Sequence, residues 1–176
     1  MNRISVIGTS GSGKTTLARQ IAHRLDIPHI ELDALHWEPN WIEAPDEIFR
    51  DRVAGSLNCD RWVVDGNYSQ VRDLVWDKAD TIIWLNYSLP VIMKQLWKRT
   101  WQRASTRQEL WNGNRETWKQ SFFSRDSILL WALRTYGMRR REYPLLLRQP
   151  EYAHLQVVEL HSPKETCDWI LGLPER

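Results

Sequence analysis

The chain has 176 residues, 42% of them hydrophobic, a formal net charge of +2 and only two cysteines. That length suits one domain with a real core, and no apolar run approaches the length of a membrane span. Cys59 and Cys167 lie far apart without a metal-like spacing, and the first residues lack a basic and apolar leader, so a reduced, cytoplasmic protein is expected. The charge is uneven: Lys94 to Arg148 carries thirteen Lys and Arg against four Asp and Glu, which suggests an anionic ligand near that segment.

In chain order, Arg3 to Ile7 reads as a buried strand, and Leu17, Ala18, Ile21, Ala22 and Leu25 recur at helical spacing. Between them Gly8-Thr9-Ser10-Gly11-Ser12-Gly13-Lys14-Thr15 matches G-x-x-x-x-G-K-[ST] at every fixed position. Glycines let successive N–H groups turn inward as a nest, and the open helix N-terminus adds partial positive charge, so a polyphosphate fits there. The expected holders are Gly8, Ser10, Gly11, Ser12, Gly13, Lys14, Thr15 and Thr16. Lys14 reaches the outer phosphates and Thr15 offers its hydroxyl to magnesium (Mg2+), a hard cation that prefers oxygen. A dinucleotide fingerprint starting at Gly11 and Gly13 fails because its third glycine position is Thr16.

The first helix should stop near Asp26-Ile27-Pro28, and His29 to Asp33 reads as a second strand ending in a carboxylate. In open α/β sheets ligands lie beyond the carboxyl ends of strands, which aims Asp33 at the same crevice as the loop; a cap or turn role is its alternative. Ala34 to Trp41 reads as a loop, with His36 and Trp37 as acceptor contacts or, alternatively, as packing residues. Pro45 opens a helix with Phe49, Val53 and Leu57 at i, i+4, i+8. Arg61 to Asp65 forms a third strand whose terminal Asp65 suits a magnesium-organising carboxylate, followed by Asn67 and Tyr68 as acceptor contacts or turn residues.

Thr81 to Leu85 makes the fourth strand, and a helix runs from Ser88-Leu89-Pro90 to about Arg103. Ala104 to Ser124 loses the pattern and holds Arg107, the turn-like Asn112-Gly113-Asn114 and Arg115. With Arg103 at its edge it suits a flap bringing guanidinium groups to phosphates, against the plainer reading of a solvated basic face. Arg125 to Arg148 reads as helical, with Arg139-Arg140-Arg141 as an exposed basic patch. Leu155 to Leu160 is the fifth strand, and Ser162-Pro163-Lys164-Glu165 is a capping box opening the last helix.

Strands alternating with helices predict an α/β fold with a parallel sheet. The loop, Glu31-Leu32-Asp33 with His36-Trp37, Trp62 to Tyr68, and Leu110-Trp111-Asn112-Gly113-Asn114-Arg115-Glu116 together resemble the adenylate-kinase-like P-loop NTPases, in the branch labelled adenylate kinase or DNA topology modulation protein. That resemblance implies a three-layer α/β/α domain over 1–176, strand order 2-3-1-4-5, and a basic helical lid at about 103–125. It also implies ATP with magnesium and phosphoryl transfer to a small acceptor. The expected roles are catalysis by Lys14, Asp33, Arg103, Arg107 and Arg115, metal binding by Thr15 and Asp65, and acceptor binding by Asp33, His36, Trp37, Asp65, Asn67 and Tyr68. Nucleoside monophosphate kinases place an arginine just after the aspartate-glycine pair; here the nearest is Arg72, so an acceptor without phosphate, as in shikimate-kinase-like relatives, stays open. The alternative class is a regulatory or nucleic-acid-associated NTPase with no small acceptor, which the basic segment permits.

Overall fold

The structure is a computed structural model, and residues 1–106, 109–115 and 128–174 are described. Five parallel strands form the central sheet: β1 (Arg3–Gly8), β2 (His29–Glu31), β5 (Trp62–Asp65), β6 (Thr81–Leu85) and β7 (Gln156–Leu160). Their spatial order is β2-β5-β1-β6-β7. Counted among themselves they follow the expected 2-3-1-4-5, and the labels skip because two short strands, β3 (Trp37–Glu38) and β4 (Ile42–Glu43), pair in a separate hairpin. The register sets Val6 beside Asp65 and Asp65 beside Glu31. Three strand ends therefore open onto one edge.

Period-two alternation divides the sheet between two cores. Ile4, Val6, Val63, Ile83 and Leu85 pack against Leu17, Ala18, Ile21 and Leu25 of α1 (Lys14–Leu25) and Ile170 of α7 (Pro163–Leu171). Ile7, Trp62, Val64, Ile82 and Trp84 face the other way. They meet Phe49 and Val53 of α3 (Asp46–Ser56), Val75 and Trp76 of α4 (Arg72–Trp76), and Tyr143 of a helix, α6, over Ile128–Leu146. Phe49 is fully buried, and its ring packs edge-on against His36 and Tyr68. Phe49→Ala should cost about 3–5 kcal/mol in chemical denaturation, the usual loss for a core aromatic, and should loosen the site beside it.

Caps follow the sequence. Ser162 Oγ accepts from Glu165 N at 3.1 Å, while the Glu165 carboxylate reaches back to His161 N at 2.7 Å, one residue before the cap. Asp26, at φ 51°, ends α1 in the left-handed conformation ahead of Pro28.

Four expectations change. The second strand stops at Glu31, and Asp33 lies in a short helix, α2 (Leu32–His36). Beyond Asp65 the neighbouring strand gives way to Gly66, whose φ of 143° turns the chain; a Cβ there would lie 2.8 Å from Leu32 Cβ, so α2 packs where more sheet would run. Residues 34–41 are not a loop: they finish α2, form β3 and a 3-10 turn (Pro39–Trp41), and lead into β4. The helix expected to end at about Arg103, α5 (Leu89–Thr106), continues to Thr106. Finally, Arg139 is not part of an exposed patch. It is buried, whereas Arg140 and Arg141 face solvent. Of the proposed lid, 107–108 and 116–125 lie outside the described residues.

Candidate active site

The glycine loop is pressed between β6 and α5 (Leu89–Thr106). A Cβ on Gly8 would lie 2.8 Å from the Leu85 carbonyl, and one on Gly11, at φ 85°, 2.8 Å from Leu96 Cβ. Only glycine fits such close approaches in these conformations. Ser12 N donates to Thr9 O at 3.0 Å, closing the turn, and the Ser12 hydroxyl is buried without a partner among the described residues. Ser10 is half-buried at the loop tip and Thr16 is exposed on the first turn of α1. Lys14 folds back over the loop and donates to Thr9 O at 3.3 Å. Burial, then the charge of Arg139, pulls its ammonium down to about 8, while Asp65 and Asp33 work the other way. A cation held at such cost is suited to a polyanion that restores its charge.

Asp65 is anchored on both oxygens. Thr15 Oγ1 donates to Oδ2 at 2.6 Å, and His29 Nε2 lies 2.7 Å from Oδ1. Hydroxyl and carboxylate are both hard oxygen donors, so the pair fits magnesium. Among the described residues no group of three or more His, Cys, Asp or Glu side chains gathers as a metal site, which agrees with an ion shared with phosphates and water. His29 escaped sequence reading because it sits inside a strand with no motif around it.

Asn67 is placed on the loop. Its amide donates to Gly8 O at 2.5 Å and its Oδ1 accepts from Gly8 N at 3.2 Å, so both backbone groups of Gly8 are held by one side chain. The structure therefore gives Asn67 a loop-holding contact in place of the expected acceptor contact.

Asp33 and Tyr68 do meet. The Tyr68 hydroxyl donates to Asp33 Oδ1 at 2.6 Å. Burial pushes the Asp33 carboxyl up, opposed by the Tyr68 hydrogen bond and the Lys14 charge. Burial and the Asp33 charge push the Tyr68 phenol up, with the Trp37 side chain acting the other way. His36 is buried, its ring packed against Trp37, Phe49 and Tyr68 with centroids 4.9, 4.9 and 4.4 Å away. Its Nδ1 has no partner among the described residues, and burial lowers its pKa. It belongs to the aromatic wall behind Tyr68.

Two arginines that the sequence did not place at the site act on it. Arg139 Nη1 donates to Gly8 O at 3.3 Å and forms no ion pair among the described residues. Arg99 acts electrostatically on both Lys14 and Asp33. A run of three arginines reads as surface; helical periodicity through Ala132, Thr135, Arg139 and Tyr143, all buried, was the signal that Arg139 points inward.

The expected lid arginines are placed differently. The Arg103 guanidinium lies over the Trp111 ring, 5.9 Å from its centroid. Arg107 lies outside the described residues. Arg115 is exposed and paired with Glu109 at 3.1 Å, so in this conformation it is an ion-pair partner at the root of the segment. Residues 111–115 dock on the stretch from Glu31 to Trp41. Trp111 Nε1 donates to Glu31 at 2.8 Å, the Asn112 amide donates to Trp37 O, and Asn114 donates to Glu38 O at 2.9 Å while accepting from Trp41 N at 2.8 Å. Trp41 is itself left-handed, at φ 58°, an unfavourable state for a bulky residue. Asn114 is buried, so Asn114→Ala should cost about 1–3 kcal/mol by stranding backbone groups. Faster hydrogen exchange at the Trp41 amide would check it.

Comparison with known proteins fits this geometry. Residues 4–64 match the family described as ATPase family associated with various cellular activities (AAA). A cytidylate kinase of Nitratidesulfovibrio vulgaris (strain DP4) is 37% identical over 60 residues, which is 31% of this chain and only 26% of that protein. The whole-chain likeness is structural. Shikimate kinase from Acinetobacter baumannii, solved in complex with shikimate, superposes over 97% of this chain and 89% of its own with a TM-score of 0.58 at 14% identity. A sugar kinase from Janibacter sp. covers 97% and 92% with a TM-score of 0.56 at 19% identity. The fold is the three-layer α/β/α fold with a phosphate-binding loop, which those structures share. Among the described residues no helix is long and apolar enough to cross a membrane.

Proposed function

We propose that the chain is a cytoplasmic, single-domain ATP-dependent phosphotransferase acting on a hydroxyl of a small molecule. The observation that carries this reading is the charge set gathered at the glycine loop: Lys14 and Arg139 each donate to a loop carbonyl, Thr15 donates to Asp65, and Lys14 interacts electrostatically with Arg139, Asp65, Asp33 and Arg99. A cation-lined cradle facing a buried carboxylate is what moving a phosphoryl group onto a hydroxyl requires, since positioning and charge stabilisation carry that reaction.

In this reading the loop amides from Gly8 to Thr16 and the Lys14 ammonium bind the triphosphate, and Thr15 and Asp65 hold magnesium. Bound Mg-ATP supplies the transferable group and neutralises its charge. Asn67 and Arg139 keep the Gly8 carbonyl turned away from the phosphates, since each donates to it. Arg139 and Arg99 offset charge that develops between donor and acceptor. Asp33 orients the acceptor hydroxyl and takes its proton as the new P–O bond forms. Trp37, His36 and Tyr68 shape the acceptor side. The segment rooted at 103–115 acts as a lid in this proposal, with Arg103 and Arg107 rather than Arg115 as the guanidinium donors. Arg72 lies over the Trp76 ring, 5.6 Å from its centroid, which favours an acceptor without a phosphate of its own. The nucleic-acid alternative loses part of its support because Arg139 is buried.

The test is an ADP-release screen with Mg-ATP against polyols, sugar acids, nucleosides and nucleoside monophosphates, run beside Lys14→Ala. Acceptor-dependent release absent from Lys14→Ala supports the reading. A flat response throughout, with salt-sensitive DNA binding, would replace it with the nucleic-acid alternative.

A further inference from the structure

Asp33 is the candidate that meets an acceptor hydroxyl, yet one of its oxygens is already taken by a hydroxyl of the chain itself. The contact is fully specified. Tyr68 donates to Asp33 Oδ1 at 2.6 Å. Behind it the Tyr68 ring packs against Phe49 and His36, at centroid distances of 5.2 and 4.4 Å, which aims the phenol at the carboxylate while no acceptor is bound. The residue before it, Asn67, is tied to Gly8 of the loop. A phenol thus stands where an alcohol would be activated, on an element anchored to the phosphate cradle.

We infer that the Tyr68 hydroxyl is a built-in stand-in for the acceptor, occupying Asp33 until a genuine acceptor displaces it and so preventing transfer of the phosphoryl group to water. This rests on the phosphotransferase reading and deepens it. The reaction prevented is hydrolysis: a water oxygen attacks the γ-phosphorus, the bond to the β–γ bridging oxygen breaks with ADP leaving, and a water proton passes to Asp33. With Tyr68 donating to it, Asp33 Oδ1 is engaged, and the same hydrogen bond makes the carboxylate a weaker base for a water proton at its other oxygen. Trp37, packed against the His36 ring that backs Tyr68, becomes a positioning residue acting on Asp33 through Tyr68. The device discriminates by chemistry, since a multidentate polyol can outcompete a single phenolic hydrogen bond where one water cannot.

The experiment needs no knowledge of the natural acceptor. ADP release from Mg-ATP alone is measured for wild type, Tyr68→Phe, Trp37→Phe and the double variant Tyr68→Phe/Asp33→Asn, with the affinity for a fluorescent ATP analogue measured in parallel. Tyr68→Phe keeps the ring packing and removes only the hydroxyl. It should raise acceptor-free hydrolysis roughly ten- to a hundredfold, within the limit of about 10⁴ that a positioned base supplies, at near-wild-type nucleotide affinity. Trp37→Phe should give a smaller rise, and the double variant should lose the gain. If Tyr68→Phe binds nucleotide normally and hydrolyses no faster than wild type, or if the gain survives loss of the Asp33 carboxylate, the inference is wrong. If wild type binds no nucleotide, the phosphotransferase reading fails first and this one with it.

Discussion

Arg139→Ala should lower ATP-dependent turnover by about 10²–10³, the range seen when a donor to developing charge is removed, or more if the guanidinium contacts the transferring group directly. The side chain is buried and donates to Gly8 O without an ion pair among the described residues. An uncompensated buried cation is costly unless a ligand completes it. Steady-state kinetics with saturating ATP separates the outcomes: a fall in kcat at constant stability supports a charge-stabilising role. A normal kcat with reduced denaturation midpoint would make Arg139 a prop for the loop. Arg140→Ala, whose guanidinium lies 5.4 Å from the Tyr136 ring centroid on the surface, should change neither.

Lys14→Met should abolish tight nucleotide binding and yet stabilise the ligand-free protein. The fall from 10.5 to about 8 in the folded state corresponds to a penalty of up to about 3 kcal/mol for keeping the ammonium charged. Below about pH 8 the lysine is charged in both folded and unfolded chains, and the whole penalty is present. Between about 8 and 10.5 the unfolded chain binds more protons than the folded one, so wild-type stability rises with pH until the penalty is gone. Lys14→Met removes the penalty at every pH. Its advantage in urea denaturation should therefore be full at pH 7 and fade as the pH climbs above 8. The same shift predicts proton uptake when ATP binds near pH 8.5, readable by calorimetry in buffers of different ionisation enthalpy. No advantage at pH 7 would show that Lys14 is well solvated in the free protein.

The main lines of the fold were legible because they depend on local regularities. Strands such as Thr81 to Leu85 are continuous apolar runs, Ser162 and Glu165 mark a helix start, and the glycine loop allows little else. What could not be read was set by contacts between distant residues. Asp33 leaves the sheet because Gly66, 33 positions later, ends the neighbouring strand against Leu32. Asn67 binds Gly8 and His29 meets Asp65, pairings that no spacing announces. Arg139 was hidden in a basic run because composition outweighed periodicity there. At the candidate site, sequence supplied Lys14, Thr15, Asp33, Asp65, Tyr68 and the loop. It did not bring His29, Arg99 or Arg139 to the site, nor foresee that Asn67 binds Gly8 and Arg115 pairs with Glu109.

The hairpin bearing Trp41 has a further consequence. Its left-handed tryptophan and its outward backbone groups are held by Asn114 and Arg115, some seventy positions downstream. Bringing such remote stretches together costs loop-closure entropy before any contact rewards it. One wall of the pocket is thus a late acquisition of the folding chain. An emerging polypeptide cut short before residue 111 holds the glycine loop, Asn67 and Asp65 but lacks both this rim and Arg139, which reaches back to Gly8 from the far side of the chain.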